Sequence, residues 1–503
     1  MSILTLFIII PLLTIVGILF CKTDMQVKWV SVAGMGLQFI NAIALILLFL
    51  AERRAGNIAE VLFVQDNLWY ETLNIHFHVG VDGVSVAMIG LTSLVVFAGI
   101  FASWEIKDLH REFFTFLILL SSGVFGFFIS LDLFTMFLFY ELAVIPMYLL
   151  IGIWGSGPRH YSAMKLTLML MGGSALIMLG LIGIYLNSAP NGGPLTWDII
   201  KISKETLPMD MQRFLFPLLF VGFGVLGAMF PFHTWSPDGH ASAPTAVSML
   251  HAGVLMKLGG YGCYRVAVFL LPQAAHQVGW IFLILATIGV IYGAFGALWQ
   301  KDLKYINAYS SVSHCGLVLF AILMFNQTAM NGAIMQMISH GIMTALFFAL
   351  IGMIYGRTHT RYINEMGGLM KVMPFLSVAY VIAGLASLGL PGFSGFVAEM
   401  TIFVGAFQNA DIFHRVVTII AASSIVVTAV YILRVVGILL LGKIRNDEYE
   451  QLTDAKWYDK ISVVSLILGI TIIGVAPLWL SDMITGGLGP IVQKLLAAAP
   501  MMP

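Results

Sequence analysis

An all-α, polytopic membrane fold of about fourteen spanning helices is predicted by three features of this chain: its composition, the lengths of its apolar runs, and two apolar runs interrupted by proline. Of 503 residues, 59% are hydrophobic and only 10% charged, where a soluble domain carries about 25% charged residues. Cutting the chain into apolar runs of about 20 residues, the length that crosses a bilayer, leaves fourteen spans. The run Ile3 to Phe20 has no basic segment before it and no small-residue cleavage site, so it reads as a retained first helix.

The first interruption lies in FLFPLLFVGFGVLGAMFPFHTWSPDGHASAPTAVSMLHAGVLMKLGGYGCYRVAVFLL, residues 214–271, where Pro231, Pro237 and Pro244 stand among His233, Asp238 and His240. Proline removes a backbone donor and clashes with the preceding turn, so unwound backbone at membrane depth survives only inside protein or beside water. The second is LGLPGFSGF at 388–396, with Pro391, inside a run too long for one straight crossing. These are spans 7 and 12. Broken helices at matching positions point to an inverted repeat with its ion site at the interruption. Because five spans separate them, spans 4–8 and 9–13 have opposite topology.

The expected organisation is therefore spans 1–3 in residues 1–110, a first five-helix unit in 111–272, a second in 273–442 and span 14 in 443–503. The stretches at about 51–80 and 188–212 are too short to fold alone. Counting Lys and Arg in alternate loops gives fifteen on one side and seven on the other, which places both termini outside the cell and the richer loops in the cytoplasm. Zero net charge and the lack of a basic run give no support to nucleic-acid binding. Cys21, Cys263 and Cys315 show no Cys-x-x-Cys spacing, and His233 and His240 are seven residues apart around Pro237 with no further ligand motif, so no metal or cluster is expected in this chain.

Ionisable groups within the spans carry the functional expectation. Lys257 lies inside span 8 with apolar sequence on both sides, a placement that costs about 2.5–3.5 kcal/mol on insertion and marks an ion pathway. Asp132 falls where spans 4 and 5 turn and reads as a solvated turn residue. Glu141 lies nine residues deeper, roughly 13 Å along a helix axis, where a carboxylate must be paired, hydrated or protonated. His251, His314, His340 and Glu399 recur in apolar surroundings across spans 8, 10, 11 and 12, and a proton relay needs such titratable groups in succession.

FLFYELAVIPMYLLIG, PFHTWSPDGHASAPTAVSMLHAGVLMKLGGYG, DLKYINAYSSVSHCGLVL, QMISHGIMTALFF and LPGFSGFVAEMTIFVGAF resemble, in matching order from about residue 80 to 440, the antiporter-like, proton-translocating subunits of respiratory complex I. The resemblance implies that Glu141 is the span-5 glutamate and Lys257 the central lysine. It also implies that His314 and His340 belong to a central hydrophilic axis, and that Glu399 is the span-12 residue facing the exit. It implies a translocase subunit without a redox centre, with iron–sulfur clusters, quinone and, where present, FMN on other subunits. Antiporter-like neighbours would sit on both sides in a bacterial inner (plasma) membrane; the thylakoid is the second choice. A subunit of a multi-subunit cation/proton antiporter or membrane-bound hydrogenase is the alternative, because those share the motifs. One position departs from the pattern. The family's span-7 lysine, five residues before the Pro of the P-x-H motif, is here Leu226; His251 and Lys257 are then the candidate partners for Glu141.

Overall fold

The protein is described from a computed structural model over residues 2–106, 108–189 and 192–499; Lys107, one of the cations counted above, lies outside them. In chain order the helices begin with α1 (Leu6–Leu19) and α2 (Asp24–Arg54), followed by a hairpin of strands β1 (Leu62–Tyr70) and β2 (Ile75–Val81). Then come α3 (Gly83–Ala102), α4 (His110–Ile129), α5 (Leu133–Trp154), α6 (Arg159–Leu186), α7 (Ile199–Lys204), α8 (Met209–Leu226), α9 (Trp235–Ser242), α10 (Thr245–Leu250) and α11 (Met256–Gly262). The remainder is α12 (Pro272–Trp299), α13 (Leu303–Ile322), α14 (Gln327–Thr358), α15 (Pro374–Ser387), α16 (Ser394–Phe407), α17 (Ile412–Leu440), α18 (Trp457–Val475) and α19 (Leu478–Ala498). Among the described residues eleven helices are long and apolar enough to cross a membrane. The apolar helices α1, α15 and α16 are shorter. Residues 245–268 form one continuous rod in which α10 and α11 are joined and followed by wider turns, His251–Leu255 and Cys263–Val268.

Side chains at the helix starts explain the boundaries. Asp82, Asp132, Asp302, Asn326 and Asp411 each accept backbone N–H groups that the first turn leaves free, and Pro272 and Pro374 open α12 and α15, where a missing N–H costs nothing. Asp132 is therefore a buried cap, 1% exposed, rather than a solvated turn residue. α14 is the hub, with 94% of its apolar window buried against 39% for α6, α17 and α18 at the perimeter.

The same joint is built twice. GVFGFFISLDL at 123–133 and GAFGALWQKDL at 293–303 share the pattern G-x-F-G-x5-D-L. A Cβ on Gly123 would stand 2.6 Å from the Ala143 nitrogen of α5; one on Gly293 would stand 2.5 Å from the Ser313 nitrogen of α13. Gly126 likewise faces the Phe139 ring and Gly296 the Tyr309 ring. After each joint, the capping aspartate pairs its strand-like backbone with a later loop, Asp132 with Asp198 and Asp302 with Tyr362. The helices α4, α5, α6 and α8 pack in succession, as do α12, α13, α14 and α16.

Two features depart from the sequence expectation. The chain is not purely helical, because the stretch at 51–80 contains the β1–β2 hairpin. The hairpin folds against the stretch at 188–212 rather than alone: Asn74 Nδ2 donates to Leu195 O, the Trp197 indole and Tyr185 hydroxyl both donate to Leu73 O, and the Tyr185 and Trp197 rings stack at 4.2 Å. The second is α19, a helix beyond span 14. It lies across the starts of α3, α12 and α14 on the hairpin face, where Met483 meets Gly83, the Leu495 carbonyl meets His276 and Asn331 donates to Thr485. It caps the bundle end and does not thread it.

Close helix contact at both joints predicts that Gly123→Ala and Gly293→Ala each cost about 1–3 kcal/mol, since backbone cannot yield as a side chain would. Gly172→Ala, with nothing within 4 Å, should cost nothing. Thermal midpoints of the three variants in detergent check this; equal midpoints would mean that the α4–α5 and α12–α13 contacts are looser than described.

Candidate functional site

Lys257 sits where two breaks and a widened helix meet. α8 ends at Leu226, and the unwound residues after it rest on α11: the missing Cβ of Gly259 lets the backbone of Gly227 and the Phe223 carbonyl approach directly. Trp235 Nε1 donates to the Val225 carbonyl released at that break, at 3.0 Å. On the rod itself, the Ala252 carbonyl within the wider turn His251–Leu255 accepts a hydrogen bond from Lys257 Nζ.

From Lys257, only 1% exposed, a row of groups drawn from four helices crosses the core. Nζ of Lys257 (α11) lies 2.8 Å from Nδ1 of His340 (α14). The His340 ring stacks on that of His314 (α13) with centroids 5.0 Å apart. Nδ1 of His314 lies 3.6 Å from Oε1 of Glu399 (α16), with Gln336 Nε2 at 3.0 Å. Glu399 borders a space of about 10 Å³, room for about one water molecule, lined by His314, Ser387, Ser424 and Thr428. The second break, residues 388–393 with Pro391, adjoins this end, since Gly389 faces the Glu399 carboxylate. An ammonium facing Nδ1 of a neutral imidazole donates to it, and a protonated imidazole facing an amine donates back. Such a pair passes a proton either way.

On the other side of Lys257, the His251 ring stacks between Trp235 at 5.0 Å and His240 at 4.2 Å. His240 Nε2 in turn lies 3.4 Å from the Met256 sulfur, next to Lys257. Beyond them, on the face away from the hairpin, a cavity of about 540 Å³ opens; Thr245 at the start of α10 and charged Glu105, Arg159, Arg357 and Asp459 line it. Hydrogen bonds from Lys456, then from Tyr458, hold the rim carboxyl of Glu105 below the ordinary carboxylate range.

Glu141 stands apart from this row. Its neighbour is the Ser174 hydroxyl of α6, and Oε1 has no hydrogen-bond partner among the described residues. Neither His251 nor Lys257 pairs with it: His251 stacks on Trp235 and His240, and Lys257 bonds the Ala252 carbonyl and His340. Leu226 is wholly buried at the end of α8, and its neighbour Val225 packs on Gly173, beside Ser174.

Other charged residues have a structural place that the sequence did not suggest. Arg265 pairs with the capping Asp82, 183 residues away, at 2.6 Å, both under 6% exposed in their side chains, with Tyr261 and Ser85 hydrogen-bonded beside them. Asp238 receives Lys165 at 2.7 Å and the Tyr305 hydroxyl at 3.0 Å. Lys304 and Arg361 both reach carbonyls at the end of α9. The signal available for Lys304 was its place two residues after a capping aspartate. Among the described residues no cluster of three or more His, Cys, Asp or Glu side chains is arranged to hold a metal ion.

Two broken helices enclosing a row of lysine, histidines and glutamate define an antiporter-like membrane subunit. Residues 130–428 match the family model described as NADH:quinone oxidoreductase/Mrp antiporter, transmembrane, and the chain belongs to that family. A protein named NADH-quinone oxidoreductase subunit M from Rickettsia bellii is 35% identical over 95% of this chain and 96% of its own length. One named NAD(P)H-quinone oxidoreductase chain 4 3 from Picosynechococcus is 40% identical over 73% of this chain and 66% of its own. Among solved structures, a chain of respiratory complex I from Thermus thermophilus shares the fold with a TM-score of 0.88 at 23% identity, covering 99% of both chains. A chain of the Mrp complex from Dietzia shares it at 0.83 and 20%, covering 98% of this chain and 99% of that one.

A glutamate without a cation beside it predicts a specific coupling. Leu226→Lys introduces an ammonium into a buried position on a helix that, like α5, packs against α6. Its effect on proton translocation should depend on Glu141, so that Leu226→Lys and Glu141→Gln combine non-additively in a double-mutant cycle. Strict additivity would show that the two positions do not sense each other.

Proposed function

We propose that this chain is the proton-translocating, antiporter-like membrane subunit of a complex I-type quinone oxidoreductase. The observation that carries the reading is the row Lys257–His340–His314–Glu399 between two broken helices, with a cavity at one end and hydroxyl-bearing Ser424 and Thr428 at the other. In this reading a proton arrives from the 540 Å³ cavity past His240 and His251 and rests on Lys257. It passes to His340 Nδ1 while the proton on that ring's Nε2, which has no protein partner among the described residues, leaves by way of water to the stacked His314. Glu399 receives it for release on the hairpin face, and a flip of the His340 ring restores its Nε2–H tautomer. Lys257 is reset by the next proton.

The driving force comes from redox chemistry in other subunits. This chain holds no redox centre of its own: iron–sulfur clusters, FMN and quinone belong elsewhere in the complex. Its partners are antiporter-like neighbours on both sides, and its place is the bacterial inner membrane with both termini outside. Support comes from the 35% identity with a relative named as an oxidoreductase subunit over nearly the whole length of both chains. The second reading, a subunit of a cation/proton antiporter assembly, rests on the shared fold of the Mrp chain. Co-purification separates them: iron–sulfur subunits and quinone favour the first, sodium transport without redox activity the second.

Lys257→Ala should lower proton pumping and quinone reduction together, about tenfold or more, while the complex still assembles. Normal pumping by this variant in resealed vesicles would reject the assignment. Glu399→Gln fills the same volume but releases no proton, so it should impair translocation more than Glu399→Asp does. Full activity in both variants would make Glu399 a packing residue.

A further inference from the structure

Three successive carbonyls at the C-terminal end of α9 are each taken by a donor from a different element. Ala241 O accepts from Arg361 Nη1 at 2.6 Å, Ser242 O from the Ser156 nitrogen at 2.8 Å, and Ala243 O from Lys304 Nζ at 2.6 Å. Ser156 belongs to the first helical unit; both cations belong to the second. Asp302 ties the two together, pairing with Arg361 Nη2 at 3.2 Å and capping α13 by accepting from the Lys304 backbone nitrogen at 2.8 Å. A helix ends in unsatisfied carbonyls with partial negative charge, and a cation there makes a charge-assisted bond. Lys304 is 4% exposed, so water does not compete for it. The matching joint of the first unit has no such group: after Asp132 and Leu133 comes Phe134.

We propose that Lys304 and Arg361 are positioning residues that form a clasp, tying the broken end of α9 to α13, and that α13 is the rigid link between the two ends of the proton row. α13 carries Lys304 at the clasp and His314 ten residues on, about 15 Å along its axis. The clasp holds His240, last but two in α9, against His251 on the approach to Lys257. His314 faces Glu399 on the far side of Lys257. A displacement of α13 that changes the His314–Glu399 contact therefore also moves the carbonyls that hold His240, so the approach and the exit respond to one element. Neither Lys304 nor Arg361 touches the row.

The inference rests on the proposed proton-translocating function, and its test separates the two. In the assembled complex in vesicles, protons moved per quinone reduced are measured for Lys304→Met, Lys304→Arg and Lys257→Ala, together with hydrogen exchange of the peptide covering 235–244. Lys304→Met should lower the proton ratio about twofold or more and speed exchange of that peptide about tenfold. Lys304→Arg, which keeps the cation and its donors, should restore both. Wild-type exchange and ratio in Lys304→Met would overturn the clasp, as would a Lys304→Arg variant as impaired as Lys304→Met. If Lys304→Met does not assemble, Arg361→Gln decides: faster exchange of the same peptide supports the clasp and unchanged exchange overturns it. Normal pumping in Lys257→Ala would sink the translocation reading alone, since the exchange data bear on the clasp whether or not the chain pumps.

Discussion

An ammonium held in the middle of an apolar bundle must be given partners by the protein, because no bulk water is there to provide them. Lys257 is that ammonium, and the local architecture follows from its needs. In a regular helix each carbonyl already accepts the N–H four residues on, so a side-chain donor must share it. The Ala252 carbonyl within the widened turn His251–Leu255 is one acceptor, and His340 supplies the second. The glycines around it serve the same end: Gly259 lets the broken end of α8 come close enough to line the site, and Gly253 lies against the backbone of Gly341. An unwound segment at this depth is stable because its carbonyls find donors such as Trp235 Nε1.

The two repeated joints explain how a row of groups from four helices keeps its spacing. Gly123 and Gly293 bring α4 onto α5 and α12 onto α13 at backbone distance, and the capping aspartates lock each pair to a later loop. Those joints are close-packed, whereas at 227–234 and 388–393 the helices of the two broken spans are interrupted. Close-packed pairs carrying titratable groups beside interrupted helices make an arrangement in which small shifts alter contacts such as the 3.6 Å approach of His314 to Glu399. The asymmetry between the joints, Lys304 in one and Phe134 in the other, assigns the α9 clasp to one unit only.

Glu141 belongs to a different setting. With Leu226 where a lysine stands in the resembling family, the carboxylate has a serine hydroxyl and no cation nearby among the described residues. Its electrostatic state is then governed by burial and hydrogen bonding alone, which makes this part of the chain unlike the Lys257 row and not a second copy of it.

Much of this was determined by the sequence by itself. Apolar run lengths identified the class, a bundle of many membrane-spanning helices, because a bilayer core sets their length, and Pro231 and Pro391 marked the breaks, because proline cannot continue a helix. The charges inside the spans named Lys257, His314, His340 and Glu399, because apolar surroundings make an ionisable group costly wherever it is not used. The G-x-F-G-x5-D-L pattern was also present to be read. Tertiary structure alone decided which of these groups meet. His251 joins His240 and not Glu141, Arg265 finds Asp82 at 183 residues' distance, and Lys304 reaches a carbonyl 61 residues earlier. The hairpin and α19 were likewise decided by contacts, with Leu73 accepting from Trp197 and Gly83 leaving space for Met483. The reason is physical: span length and the cost of charge act on local sequence, whereas partner choice depends on how helices far apart in the chain are brought side by side.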